Sequence, residues 1–270
     1  MVHIRKSILS SIFFILLMTC FSNSGLSEVI TENHWDTAPS PNQCADGWCI
    51  WVTSGMKFSI VQDTTSSNRS NVLRCTFPVG LPGGTGGCNT YYGFGNKSEI
   101  YGQYWIKYSS NWQWHGTADK MFYLDDSSPS PTVPYAMFCV IEKGGKVRCA
   151  NYGQDGRRGV EINVGGATTF EKNRWYKFNF HAKYSTPGNR NGVWQLWVDD
   201  RLIMNYSDIG YHDNQLFSSI KFHNVWGGTG GTVLQEMHTY FDDIILSTEP
   251  IDVNLDSNKI PNSPKALQVD

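Results

Sequence analysis

Between Arg174 and Tyr184 the side chains alternate, with Tyr176, Phe178, Phe180 and Ala182 on one face and Lys177, Asn179, His181 and Lys183 on the other. A period of two describes a strand with one apolar and one polar face. His181, set between an amide and an amine, is equipped to take a proton beside an anion that its neighbours hold. Tyr240 is the candidate to return a proton, and Gln103, Lys120 and Lys183 are candidates to neutralise a carboxylate. Arg148, Asn151, Gln154, Asn179, Gln195, His223 and Asn224 extend this polar set, and His115 follows the aromatic turn Trp112-Gln113-Trp114. Trp105 and Trp197 face away from the aliphatic side of their strands and offer surfaces for stacking. A solvated sheet face carries the same residue types, so position has to decide between the two readings.

The elements that must place these groups read as strands. Glu99 to Tyr108 alternates with bulk on both faces, as a sandwich strand does when one side meets the core and the other a groove. Lys120 to Leu124, Tyr135 to Glu142 and Val193 to Asp199 follow the same period, and Asp199-Asp200 turns the chain into Arg201 to Met204. Cys49 to Val52, Phe58 to Val61, Val72 to Phe77 and Ser218 to Trp226 are further strands, while Thr31 to Pro41 reads as irregular. The glycines of 80–87 and 227–231 forbid regular structure. Val233 to Leu246 fits a helical period through Leu234, Met237, Phe241, Ile244 and Ile245, but its Thr, Tyr, Phe and Ile content favours a strand. The fold class expected is all-β, a two-sheet antiparallel β-sandwich of the jelly-roll kind.

The start of the chain reads as an export signal, with His3, Arg5 and Lys6 before the apolar run Ile8 to Met18. The expected division is a signal over 1–24, one domain over 25–250 and an extended tail over 251–270. Leu17-Met18-Thr19-Cys20 offers an alternative, a lipid anchor on Cys20 of a protein otherwise secreted or periplasmic. No later run reaches the roughly 20 apolar residues of a transmembrane helix. Six further cysteines form three close pairs, Cys44 with Cys49, Cys75 with Cys88 and Cys139 with Cys149, and local disulfides are expected. The spacing lacks the CxxC and interleaved histidines of a zinc site. A formal net charge of −2 removes the electrostatic case for nucleic acid. An aromatic content of 14% with 10 Trp and 13 Tyr suits sheets and sugar stacking alike, and a monomer is expected.

Three runs carry a resemblance: Asn173-Arg174-Trp175-Tyr176-Lys177-Phe178 with His181, then Gly192 to Asp200 through Trp197-Val198-Asp199, then Tyr240 to Thr248. They resemble the concanavalin A-like lectin and glucanase superfamily, nearest to its polysaccharide lyase-like members, over Glu99 to Thr248. Asp200 stands where that hairpin usually has Gly, a change that a left-handed turn tolerates. The E-x-D-x-x-E run of the laminarinase-type hydrolases is missing. The resemblance implies cleavage of uronate-containing polysaccharide by β-elimination, with His181 as base and no cofactor for the chemistry. It also implies an alternative, a lectin-like carbohydrate-binding or cell-surface domain without catalysis. Asp242 matches an aspartate that helps hold a structural calcium in laminarinase-like relatives, with Asp36 and Glu32 as N-terminal partners.

Overall fold

The computed structural model describes residues 28–36, 41–53, 55–63, 71–127, 136–153, 156–160, 168–211 and 215–251. The expected signal, Cys20, Gln154 and almost all of the expected tail lie outside these residues. Sixteen strands and no helix are found among the described residues. In chain order they are β1 (Val29–Asn33), β2 (Gln43–Ala45), β3 (Trp48–Val52), β4 (Lys57–Val61), β5 (Val72–Phe77), β6 (Cys88–Lys97), β7 (Glu99–Tyr108) and β8 (Ala118–Asp126). The second half comprises β9 (Met137–Glu142), β10 (Lys146–Gly153), β11 (Gly156–Val160), β12 (Trp175–Lys183), β13 (Gly192–Val198), β14 (Arg201–Ile209), β15 (Phe217–Val225) and β16 (Met237–Ser247).

They form two antiparallel eight-stranded sheets. The first runs β14-β13-β12-β7-β16-β5-β4, with β1 also paired to β16, and the second runs β11-β10-β9-β8-β15-β6-β3-β2. One core fills the space between them. Tyr104, Phe178, Phe180 and Trp194 of the first sheet meet Phe122 and Phe222 of the second, with Phe122 stacked on Phe180 at 5.4 Å and Tyr104 edge-on to Phe222 at 4.7 Å. A Cβ at Gly102, opposite Phe180 in the ladder, would fall 2.2 Å from that ring. Only glycine fits there, and this explains the gap in the apolar face of β7.

Val233 to Leu246 resolves as a strand with a defect. Met237, Thr239 and Phe241 point inward, the register shifts at Asp243 (φ 45°), and Ile244 and Leu246 then take the inward positions. A bulge inserts one residue, so a period of two becomes locally three and imitates a helix. The N-terminal segment departs from expectation: Val29–Asn33 is ordered as β1, because β16 supplies its ladder partners. The Asp199-Asp200 turn holds both residues at positive φ, 50° and 63°, as a tight hairpin requires. The disulfides join Cys44 to Cys49, Cys75 to Cys88 and Cys139 to Cys149. Three such bonds place the chain in an oxidising, extracellular setting. No helix among the described residues is long and apolar enough to cross a membrane.

Candidate functional site

The outward face of the first sheet carries most of the residues singled out from the sequence, and much of it is buried. Gln103, Trp105, Lys107, Lys177, Asn179 and Asp242 are all buried there. Lys107 Nζ lies 2.8 Å from Asp63 Oδ1, over the rings of Trp175 and Tyr240, and the Trp175 indole also donates to Asp63. Lys177 reaches Asp200 at 2.5 Å. Pro250 and Ile251 line, with Trp197, Asn179 and Tyr101, a cavity of about 220 Å³ that stays partly open.

His181 stacks on Tyr101 with ring centroids 4.2 Å apart. Its Nδ1 bonds Gln195 Oε1 at 2.9 Å and its Nε2 bonds Glu99 Oε1 at 2.8 Å, so both ring nitrogens are engaged. Glu99 also accepts from Lys183 Nζ and the Tyr101 hydroxyl. Burial raises the Glu99 pKa, but these donors outweigh it and hold the carboxyl below its ordinary range. Burial, then Glu99, pushes the Tyr101 phenol up. Gln195 in turn donates to Asn205.

Tyr240 stands opposite Lys107 in β7, whereas His181 stands opposite Tyr101. Six strand positions, roughly 20 Å, separate the two, so they cannot act as base and acid of one elimination. Tyr240 is instead packed against the Lys107 ammonium, and burial raises its pKa.

His115 and Asn151 also take structural places. His115 Nδ1 bonds Thr117 Oγ1 at 2.9 Å and its Nε2 bonds the Gly230 carbonyl at 2.8 Å, which anchors the glycine loop over Trp226. Asn151 pairs with Met137 on the inward side of β10 and is buried. Asp242 sits opposite Trp105, and no group of three His, Cys, Asp or Glu gathers as metal ligands among the described residues. Its neighbour Asp243 bonds His34, which also reaches Glu32. The bond to Asp243 is the largest reason that the His34 pKa is pushed up to about 9.

The outward face of the second sheet is different. The ladder aligns Tyr91 of β6, Lys221 of β15, Tyr123 of β8 and Phe138 of β9 in one row across four strands. Lys221 Nζ lies 2.6 Å from Asp125 Oδ2 and 5.6 Å from the Tyr91 ring centroid, and Ser219 Oγ donates to the same Asp125 oxygen at 2.6 Å. Asp125 and Ser219 thus aim the ammonium, while a third of the Lys221 side chain stays exposed. Tyr123 stacks on Phe138, and together with Val140 and Ala150 they form a small apolar cluster on this outer face. Lys120 stands opposite Val140, which is paired to Arg148, and Arg148 bonds Glu142 at 2.5 Å. Lys120 and Arg148 are therefore the sequence candidates that the fold brings near Lys221. His223 lies in β15 two residues after Lys221, but its side chain and that of Asn224 fall outside what the structure describes. Tyr91, Tyr123 and Lys221 were missed by the sequence reading, because each alternates with core residues as any strand residue does.

On the second sheet a partly exposed cation thus stands between Tyr91 and the buried Tyr123. Residues 53–244 fit the family model described as polysaccharide lyase. The chain belongs to the polysaccharide lyase family. Solved structures of similar fold include the endo-β-1,4-glucuronan lyase of Trichoderma reesei, at 13% identity and TM-score 0.62, covering 82% of this chain and 96% of that one. The alginate lyase of Aplysia kurodai follows at 14% identity and TM-score 0.55, covering 73% and 91%. An alginate lyase from a Chlorella virus gives 13% identity and TM-score 0.51, covering 75% and 93%. At these identities the likeness concerns the fold. Among curated proteins none matches the chain. This polysaccharide lyase holds His181 against Glu99 in the first sheet and carries Lys221, one-third exposed, between Tyr91 and the buried Tyr123 on the second.

Proposed function

We propose that this polysaccharide lyase is an exported enzyme that cleaves uronate polymers by β-elimination on the outward face of the second sheet. The polymers named for the similar structures, glucuronan and alginate, are both chains of uronic acid. Elimination requires that the C6 carboxylate be neutralised, that the C5 proton be removed and that the O4 leaving group be protonated, which leaves a C4=C5 double bond. Lys221 meets the carboxylate by exchanging part of its contact with Asp125. Tyr91, the more exposed of its two tyrosine neighbours, moves the proton, since a phenol can both accept and donate. Lys120 and Arg148 bind carboxylates of adjoining units. His223, two residues along the same strand, is a second candidate base.

The observation that carries this reading is the row Tyr91–Lys221–Tyr123, set by the ladder register, in which Tyr91 and Lys221 are partly exposed and Tyr123 is buried. The protein acts without a metal in this scheme. Asp242 is buried opposite Trp105, and among the described residues no group of three His, Cys, Asp or Glu gathers around it. The test is incubation with alginate, glucuronan, pectate and heparin while absorbance from the new double bond is followed. Unsaturated product from at least one uronan is expected. Silence across all four, with the polymers still bound, would make the protein a lectin-like binder instead.

A further inference from the structure

We infer that Trp51 is a stacking platform for a sugar ring of the bound polymer, held outside the reacting residues, and that it makes the protein favour long chains. The inference rests on the second-sheet site proposed above and extends it. Trp51 is half exposed, although most tryptophans of this chain lie in the core. A single exposed apolar side chain needs no explanation by itself. Its setting does.

Trp51 pairs with Asn89 in the β3–β6 ladder, two residues beyond the pair Cys49–Tyr91, so it shares the outward face with Tyr91 and Lys221. Two strand spacings and two residues separate it from Lys221, roughly 12 Å, a distance that a polysaccharide crossing the strands spans in a few units. The strand that carries Trp51 is unusually fixed for a sheet edge. β2 and β3 form a hairpin around Asp46-Gly47, both at positive φ, and the Cys44–Cys49 disulfide ties its two strands together. A Cβ at Gly47 would fall 2.6 Å from the Tyr92 ring, so the turn is seated against the sheet. Asn42 continues alongside, its N–H bonding the Ile50 carbonyl and its Oδ1 accepting from the Val52 N–H, and the Trp51 ring stays half exposed. A half-exposed indole on a disulfide-tied hairpin is preorganised for a sugar face, and stacking there loses little side-chain entropy on binding.

The test compares the native protein with Trp51→Ala and Trp51→Phe, using Leu234→Ala as a control because Leu234 is also an exposed apolar side chain, in the loop before β16. Retention is measured by affinity electrophoresis in gels containing each of the four uronans, and kinetics on polymer and on trimers of the polymer that is cleaved. Trp51→Ala is expected to weaken retention by about ten-fold, the upper range for an aromatic contact. Its loss in kinetics should fall on KM more than on kcat and should be smaller for trimers. Trp51→Phe should recover part of the loss, and Leu234→Ala should match the native protein. Native retention that Trp51→Ala abolishes, without cleavage, supports the platform while removing the lyase reading. Equal retention by native and Trp51→Ala proteins overturns the platform while leaving the lyase reading intact. No retention of any uronan by the native protein overturns both.

Discussion

His181 Nε2 lies 2.8 Å from Glu99 Oε1 across the β12–β7 ladder, and the same carboxylate holds Lys183 and Tyr101. This network fastens two neighbouring strands of the first sheet and leaves the imidazole no free nitrogen. His181→Ala should therefore lower stability by about 1–2 kcal/mol while activity on a uronan is retained. Denaturant unfolding and initial rates, both measured well below the melting temperature, check the two halves of this expectation.

Lys107 and Asp63 form a pair in which both side chains are almost fully buried. Removing one partner leaves a charge stranded in the protein, so Asp63→Ala should cost about 3–5 kcal/mol. The double variant Asp63→Leu with Lys107→Met should recover much of that loss, because no uncompensated charge remains. A thermodynamic cycle over the single and double variants measures the coupling.

Asp119 gives a pH dependence with a definite sign. Burial, its largest influence, pushes its pKa from 3.8 up to about 7 against the bonds from Trp112 and the backbone at His115 and Gly227. A folded-state pKa above the unfolded one means that the native protein holds the extra proton between those values. This contribution to stability is complete at low pH and is lost as pH rises from about 4 through about 7. Asp119→Asn should remove that component of the slope, which melting temperatures recorded from pH 4 to pH 8 would show as a flatter profile. A slope identical to that of the native protein would rule Asp119 out as its source.

The sandwich was legible because strand alternation is a local property. Tyr176, Phe178, Phe180 and Ala182 point inward as the pattern requires, and each of the six described cysteines pairs with its near neighbour in sequence. What alternation cannot encode is which sheet a strand joins. His181 and Lys120 both look outward in one dimension, yet β12 and β8 belong to opposite sheets, so residues that seemed to share a face lie on opposite sides of the molecule. The bulge at Asp243 and the glycine at 102 hid period and apolar face in β16 and β7. Cys88–Lys97, with its glycines and asparagines, gave no strand signal, and Tyr91 was lost with it. Burial of the first-sheet outer face depends on Asp63, Pro250 and Ile251, contacts between distant parts of the chain that no pattern announces.

The central claim is that uronan cleavage occurs around Lys221 and not around His181. Lys221→Ala and His181→Ala should be compared with the native protein for formation of the C4=C5 double bond on the uronan that the native protein cleaves, after circular dichroism has shown both variants folded. Loss of a carboxylate-neutralising cation should reduce kcat by at least about a hundred-fold in Lys221→Ala, with His181→Ala close to native. Full activity in Lys221→Ala, with activity abolished in a folded His181→Ala, would contradict the account and return the site to the first sheet.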